Sequence, residues 1–276
     1  MRVAALACHP VKSLGGLMLE QAELTPLGLA GDRRWVAIGA DGVALTQREF
    51  ARMAAIRARP ATGGGVSLAF DGQSIDIAPP HGEHGRATAI VWGTSVDAAL
   101  ARPEAGAFLS EALGAEARLV WLDRDDARPC GVAPSGDPEY TSFADSLPLL
   151  VTTTGSLAAL NAHLVNQGLD GVPMDRFRAN IIVEHDEAWA EHRWAGLRIG
   201  AAELRFERPC ERCVVPTIDQ QTGAVDPRSA QARGLLRTLV GAAGIARRAV
   251  FGVNAVPVAG TCPAWLRVGD RVTVTG

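Results

Sequence analysis

Cys210 and Cys213 stand three positions apart in Arg208-Pro209-Cys210-Glu211-Arg212-Cys213-Val214-Val215-Pro216-Thr217-Ile218-Asp219, with a cation between them. Thiols at this spacing serve three chemistries. A thioredoxin-type dithiol needs the motif at a helix N-terminus, where the helix dipole stabilises the thiolate. Val214, Val215 and Pro216 work against a helix there, because β-branched residues and an early proline disfavour it. A closed zinc site needs four ligands, commonly from two Cys or His pairs. No second C-x-x-C exists, and His81 and His84 lie in a distant turn. The third chemistry is a single thiolate ligand to a redox metal, with the other cysteine structural or adjacent. Arg212 would then lower the thiol pKa and help to hold an anionic cofactor. Spacing ranks this reading first and leaves the others open.

Several polar groups elsewhere gain meaning beside such a centre. Lys12 and Ser13 precede the pair Gly15-Gly16, which makes either an anion cradle or a solvated turn. Arg33 follows Gly28, Gly31 and Asp32 just ahead of an apolar run, and Arg48 closes the next hairpin. Arg178 and Asn180 are two apart, so in an extended chain both point one way. They suit an anion or a heterocycle, or equally a local salt bridge and cap. A phosphate carries roughly −1.5 to −2 charges, so several cations converging on one is physically expected. Asp219 is read either as a proton carrier or as a turn cap.

The elements that must position these groups are mainly strands. Residues 3–8, 35–38, 89–92, 118–122, 149–152 and 181–184 are short apolar runs. Residues 66–70 and 74–78 alternate around Asp71-Gly72, residues 35–38 and 43–46 flank a Gly-Ala-Asp-Gly turn, and residues 197–206 form a third hairpin that delivers the cysteines. Strands are also expected near 251–254 and 266–274. Helices are expected over 103–114, over 157–167 with Ser156 as cap, and over 227–240. Residues 124–138 read as a loop rich in Pro and Gly. The expected fold is mainly β with α+β elements: a barrel-like unit over about 1–122, a second β-barrel unit over about 123–276, N-terminal strands that could join either unit, and a pocket between them.

The 276 residues carry a net charge of −3, with 47% hydrophobic and 21% charged residues, an ordinary globular balance that excludes a wholesale nucleic-acid coat. No apolar run approaches the ~18 residues of a membrane span. The first residues lack the long apolar region and cleavage site of a secretory signal. Five cysteines, an odd number, favour a reducing compartment over a disulfide scaffold, and a cytoplasmic location is expected.

The order of motifs adds a resemblance. HPVKS (9–13), GLAGDRRW (28–35), TQRE (46–49), FADSLP (143–148), FRANIIVE (177–184), PCERCVVPTIDQQTG (209–223), FGVN (251–254) and VGDRV (268–272) follow one another along nearly the whole chain. This series resembles the MOSC proteins, in the branch where an N-terminal β-barrel domain precedes the MOSC domain. That branch includes the mitochondrial amidoxime-reducing component and its bacterial homologues. The resemblance implies a molybdenum–pterin (Mo-molybdopterin) enzyme whose metal takes one protein thiolate, at the position of Cys213, while Cys210 is a neighbour. It implies cofactor contacts at Lys12, Ser13, Arg33, Asp145, Ser146, Arg178, Asn180, Glu211, Arg212 and Asn254. Asn254 falls where the mitochondrial members carry an aromatic hydroxyl, Leu147 where they carry a small hydroxyl residue, and Glu211 where they carry a serine. The implied reaction is reduction of N-hydroxylated compounds to the amine or amidine and water. No flavin fingerprint or ferredoxin-type cysteine run is present, so a separate flavin or iron–sulfur protein is expected to deliver electrons. An association with pyridoxal phosphate binding also travels with the family. Two rival functions remain: a sulfur carrier or sulfurtransferase with a persulfide on Cys213, and a non-enzymatic anion-binding β module with both thiols simply packed.

Overall fold

The structure is a computed structural model that describes every residue except 227, 242, 243 and 245–247. The chain is mainly β, and its largest sheet has eight strands. In spatial order these are Leu17–Leu19, Arg2–Cys8, Ile181–Glu184, Leu149–Thr153, Val250–Pro257, Ala202–Glu211, Gly196–Ile199 and Val272–Thr275. Only Leu149–Thr153 and Ile181–Glu184 run parallel. Parallel neighbours need a crossover, which the helix Thr154–Asn166 supplies. Among the described residues no ladder closes this sheet into a complete barrel. It nevertheless curls until its ends meet: Val3 N donates to Asp270 O (2.9 Å), Gly269 N to Val3 O (2.8 Å) and Val272 N to Met1 O (3.0 Å). The first strand of the chain is thus built into the sheet of the second half. A smaller sheet of Ala264–Arg267, Gln21–Thr25 and Gly28–Leu29 packs on the same core, which includes Leu6, Leu24, Val151, Ile181, Leu197 and Leu204.

The rest of the first half forms two further sheets. Trp35–Ile38, Arg118–Trp121, Thr94–Leu100 and Arg86–Val91 make one, and Arg57–Pro60, Val66–Phe70 and Gln73–Ile77 the other. The helix Pro103–Leu113 closes over them, burying Leu109 among Trp35, Met53, Ile56, Leu68 and Leu119. Each such buried side chain contributes about 1.5–3 kcal/mol relative to exposure. Among the described residues no helix is long and apolar enough to cross a membrane.

Three local expectations are corrected. The helix after Leu149–Thr153 starts earlier than expected, because Thr153 is its cap: its Oγ1 accepts the Ser156 N–H at 3.1 Å. The stretch 124–138 is not all loop, since Pro129–Val132 pairs with Pro138–Tyr140. Residues 43 and 44 make isolated bridges rather than a strand. The last helix is Ala230–Gly241, and Pro227, the start expected for it, lies outside the described residues.

Two histidines set an acid limit. The ring nitrogens of His9 and His192 are buried and find no partner. Burial pushes His192 down to about 4, with Arg193 adding to it. Burial, followed by the Arg178 and Arg33 guanidinium groups, pushes His9 well below its usual value. Below the ordinary histidine pKa the unfolded chain therefore takes up protons that the folded chain refuses. Stability is full above about pH 6.5 and falls as the pH drops toward the folded values, by up to about 1.4 kcal/mol per pH unit for each ring. Urea unfolding at pH 7, 6 and 5 should show this slope, and His192→Gln should flatten part of it; an unchanged slope in the variant would contradict the assignment.

Candidate active site

A cavity of about 620 Å³ opens between the two halves of the molecule, and Cys213, Lys12, Ser13, Arg33, Asp145, Ser146, Arg178, Asn180, Glu211, Arg212 and Asn254 all line it. Its wall also carries Arg48 and Arg208, so Lys12, Arg33, Arg48, Arg178, Arg208 and Arg212 face only two carboxylates, Asp145 and Glu211. An excess of cations in a concave, partly desolvated site focuses a positive potential.

The cysteines arrive on the long strand Ala202–Glu211, which pairs with Val250–Pro257 through a register irregularity between Pro209 and Glu211. Pro209 has no N–H to give the ladder, and such a break re-aims the residues beside it. Arg212 N still reaches Ala249 O at 2.8 Å. The chain then leaves the sheet at Cys213 and makes a single turn over Val215–Thr217, with Val214 at its start. No helix follows the thiols, which removes the dipole that a thioredoxin-type dithiol requires. Arg212 does not sit on Cys213 as its place between the thiols suggested. Its Nη1 donates to Cys210 Sγ at 3.0 Å and its Nη2 to Phe177 O at 2.8 Å, with the guanidinium 5.6 Å from the Phe177 ring centre. Among the described residues Cys213 Sγ receives only the Val215 N–H, at 3.5 Å.

The opposite wall is assembled from strained backbone. Ser13, Arg33 and Arg178 have φ of 66°, 50° and 54°. Left-handed backbone at non-glycine residues costs of order 1–3 kcal/mol each and gathers where function needs it. Arg178 is therefore not in extended chain beside Asn180; it caps the turn Met174–Phe177 and reaches the cavity from there. Its Nη1 bonds Leu14 O (2.7 Å) and Gln220 Oε1 (3.3 Å), while its Nη2 is buried with no partner. Burial, then Arg33, pushes this guanidinium down to about 9. A guanidinium resists giving up its proton, so that cost acts as a demand for an anion. Asn180 is more fully engaged: its Oδ1 accepts from Arg33 Nη1 (3.2 Å) and Leu150 N (3.1 Å), and its Nδ2 donates to Ala7 O (3.3 Å). It orients Arg33. Asn254, by contrast, makes no side-chain hydrogen bond among the described residues.

Lys12 is the only lysine of the chain. It is buried, donates to Phe143 O at 3.1 Å and pairs closely with Asp145 Oδ1. Desolvation lowers the Lys12 pKa against the pull of Asp145. Desolvation also works against the Asp145 charge, and Lys12 outweighs it and holds that carboxyl below the usual range. Amine-reactive labelling of the native protein should therefore modify the chain's amino terminus alone; Asp145→Ala should raise Lys12 modification at least ~10-fold, as expected when an opposing charge and its hydrogen bond are lost. Equal labelling in both proteins would contradict the pairing.

Some neighbours escaped the sequence reading. Gln47 and Gln220 are buried and bond each other reciprocally (3.1 and 2.9 Å), and Gln47 Nε2 also donates to Ser13 O at 2.7 Å. They clasp the first half to the loop after Cys213. Arg208 donates to Ser146 Oγ at 2.6 Å. A buried glutamine pair has no signature in spacing, and Arg208 hid among other arginines. Asp219 lies outside the cavity: its Oδ1 accepts from Gln221 N, Thr222 N and Thr222 Oγ1, and its Oδ2 accepts from Arg176 Nη2 at 2.9 Å. It caps the turn. Glu211 lines the rim but pairs with Arg248 (2.9 Å).

This architecture, an N-terminal β unit and a curled β sheet meeting at a cationic cavity lined by two free thiols, has a family. Residues 1–116 match the MOSC N-terminal beta barrel domain and residues 138–273 the MOSC domain, and the chain belongs to the MOSC proteins that carry both. Among curated relatives it is similar to the mitochondrial amidoxime reducing component 2 of Homo sapiens, with 28% identity over 81% of this chain and 68% of that protein. The mitochondrial amidoxime-reducing component 1 of Homo sapiens matches at 27% identity over the same shares. A molybdenum cofactor sulfurase of Drosophila grimshawi matches at 28% identity over 80% of this chain, which is 29% of that protein.

Proposed function

We propose that the chain holds a molybdenum–pterin cofactor in this cavity through Cys213 and reduces N-hydroxylated compounds such as amidoximes, hydroxylamines and N-hydroxylated bases. Electrons come from a separate flavin or iron–sulfur protein. The observation that carries the reading is a cationic cavity lined by Cys213, whose sulfur accepts a single long contact among the described residues. The non-enzymatic alternative needs Cys213 packed away from Lys12, Arg33 and Arg178; it is half-buried and shares their cavity.

The residues fit such a cofactor. Arg178 Nη2 and Arg212 Nε are buried donors with no protein partner, which is costly unless a ligand accepts from them. Among the described residues no three His, Cys, Asp or Glu converge as a metal cage; a centre that takes one protein sulfur draws its remaining ligands from its own cofactor. Arg33, Arg178 and Arg208 would hold the phosphate, and Asn254 and Ser13 the ring polar groups. The bound cofactor supplies the two-electron oxygen-atom chemistry. The chain supplies the sulfur ligand, the positive potential and a partly enclosed site. For an amidoxime, two electrons and two protons give the amidine and water, and a third proton makes the amidinium at neutral pH. The names of the amidoxime-reducing relatives support this reading over the sulfurase one, because the match covers most of those proteins and 29% of the sulfurase. Protein from a host that makes the cofactor should carry near-stoichiometric molybdenum and turn over N-hydroxybenzamidine with a chemical reductant. Absence of metal, where a known molybdenum–pterin protein loads, would overturn it.

A further inference from the structure

Trp92 is the residue that packing and folding leave unexplained. It sits with Gly93 in the two-residue turn between Arg86–Val91 and Thr94–Leu100, and both have positive φ, 52° and 81°. Such turns favour Asn-Gly or Asp-Gly. A bulky side chain in left-handed backbone is costly there, and this one is 53% exposed. The turn nevertheless has a fixed place. Trp92 Nε1 donates to Asp145 Oδ1 at 3.3 Å, across the junction of the two halves. Arg48 lies 4.1 Å from the ring centre and Lys12 Nζ 5.8 Å. All three partners line the cavity although Trp92 itself does not, which puts the indole beside the cavity next to its lining residues.

Asp145 is the second half of the arrangement. Its Oδ1 accepts from both Lys12 and Trp92, while its Oδ2 accepts from no described residue and the side chain is 66% exposed. A flat apolar face beside a free carboxylate oxygen recognises a planar group whose edge carries N–H donors. The cations select further. A ring that already carries a guanidinium is a poor seat for a second cation, whereas a neutral conjugated plane still stacks on it.

We propose that Trp92 and Asp145 form the substrate-ring subsite: the plane of a neutral aromatic N-hydroxyamidine stacks on the indole while its NH2 group donates to Asp145 Oδ2. This rests on the reductase reading, and it narrows the substrates to planar conjugated N-hydroxylated compounds over small aliphatic ones. The product amidinium meets both the Asp145 carboxylate and the Lys12 and Arg48 cations, so the subsite by itself sets no preference between substrate and product.

The test is calorimetric titration of the full chain without reductant, so that nothing turns over. The probes are N-hydroxybenzamidine, N-hydroxyacetamidine, benzamidine and 6-hydroxymethylpterin. Trp92→Ala should weaken N-hydroxybenzamidine by ~10-fold, the order of one aromatic stack, and Trp92→Phe by less than ~3-fold. N-hydroxyacetamidine should bind both variants as it binds the parent, and benzamidine, which offers the same ring, should share the loss in Trp92→Ala. Unchanged N-hydroxybenzamidine affinity in Trp92→Ala, no binding to the parent, or an equal loss for both N-hydroxyamidines would overturn the subsite. So would pterin binding that Trp92→Ala alone abolishes, which would give the indole to the cofactor. Missing molybdenum would sink the reductase and leave this binding result standing; loaded, active enzyme with no Trp92 dependence would sink only the subsite.

Discussion

Cys213→Ala is expected to strip the protein of molybdenum and to lower N-hydroxybenzamidine reduction by at least ~100-fold, the upper end of what losing even an outer-shell partner of a metal site costs. The two thiols share a motif but not an environment. Cys210 Sγ is occupied by the Arg212 guanidinium at 3.0 Å. Cys213 Sγ, beyond the end of the strand, receives one backbone N–H at 3.5 Å and lines the cavity. A metal on Cys210 would have to displace the Arg212 guanidinium, whereas on Cys213 it would displace only a long backbone contact. Cys210→Ala should therefore retain the metal and most of the activity, losing mainly the anchor of Arg212. Elemental analysis of parent and both variants, loaded in one host, checks this. Metal that follows Cys210 and ignores Cys213 would reverse the assignment. A persulfide on Cys213 with no molybdenum in any of the three would move the function to sulfur transfer.

That asymmetry was only half legible in the sequence. The pair of thiols, the absent helix and the cations scattered through HPVKS, GDRR and FRAN are matters of residue type, and one cavity does collect them. Direction was harder to read. The two-residue spacing of Arg178 and Asn180 suggests a shared face in extended chain, but Arg178 has φ of 54° and reaches the cavity as the cap of a turn. Arg212 stands between the thiols in sequence, and its guanidinium turns back to Cys210 beside a register irregularity that spacing does not announce. Sheet order was hidden for a related reason: nothing local in residues 2–8 states that they pair with 181–184 and so belong to the second half. Gln47, Gln220 and Trp92 matter through long-range pairing, with sequence separations of 173 between the glutamines and 53 between Trp92 and Asp145. Single-sequence periodicity carries no term for such pairs.

Asp32 is the clearest case of a residue whose weight appears only in three dimensions, and Asp32→Ala is expected to cost about 3–5 kcal/mol, the usual loss when one partner of a buried ion pair is removed. Asp32 is 1% exposed. Its Oδ1 accepts the His9 N–H at 2.7 Å, and its Oδ2 pairs with Arg33 Nη1. Arg33 in turn donates from Nη2 to Arg178 O at 3.1 Å and from Nη1 to Asn180 Oδ1. One carboxylate thus fixes the end of the first strand and neutralises the back of the cationic wall. Without it, Arg33 faces Arg178 with no balancing charge behind it, and the His9 N–H loses its acceptor. A loss of that size is a large share of an ordinary domain's 5–15 kcal/mol and lowers Tm by about 5–9 °C for a chain of this size. Asp32→Asn keeps an acceptor for His9 and loses the charge, so its penalty should be about half. Because that variant leaves the wall more cationic, added sulfate should stabilise it more than it stabilises the parent. Urea unfolding with and without sulfate reads all of these, and a loss below about 1 kcal/mol for Asp32→Ala, the range of an exposed pair, would show that the wall is held from elsewhere.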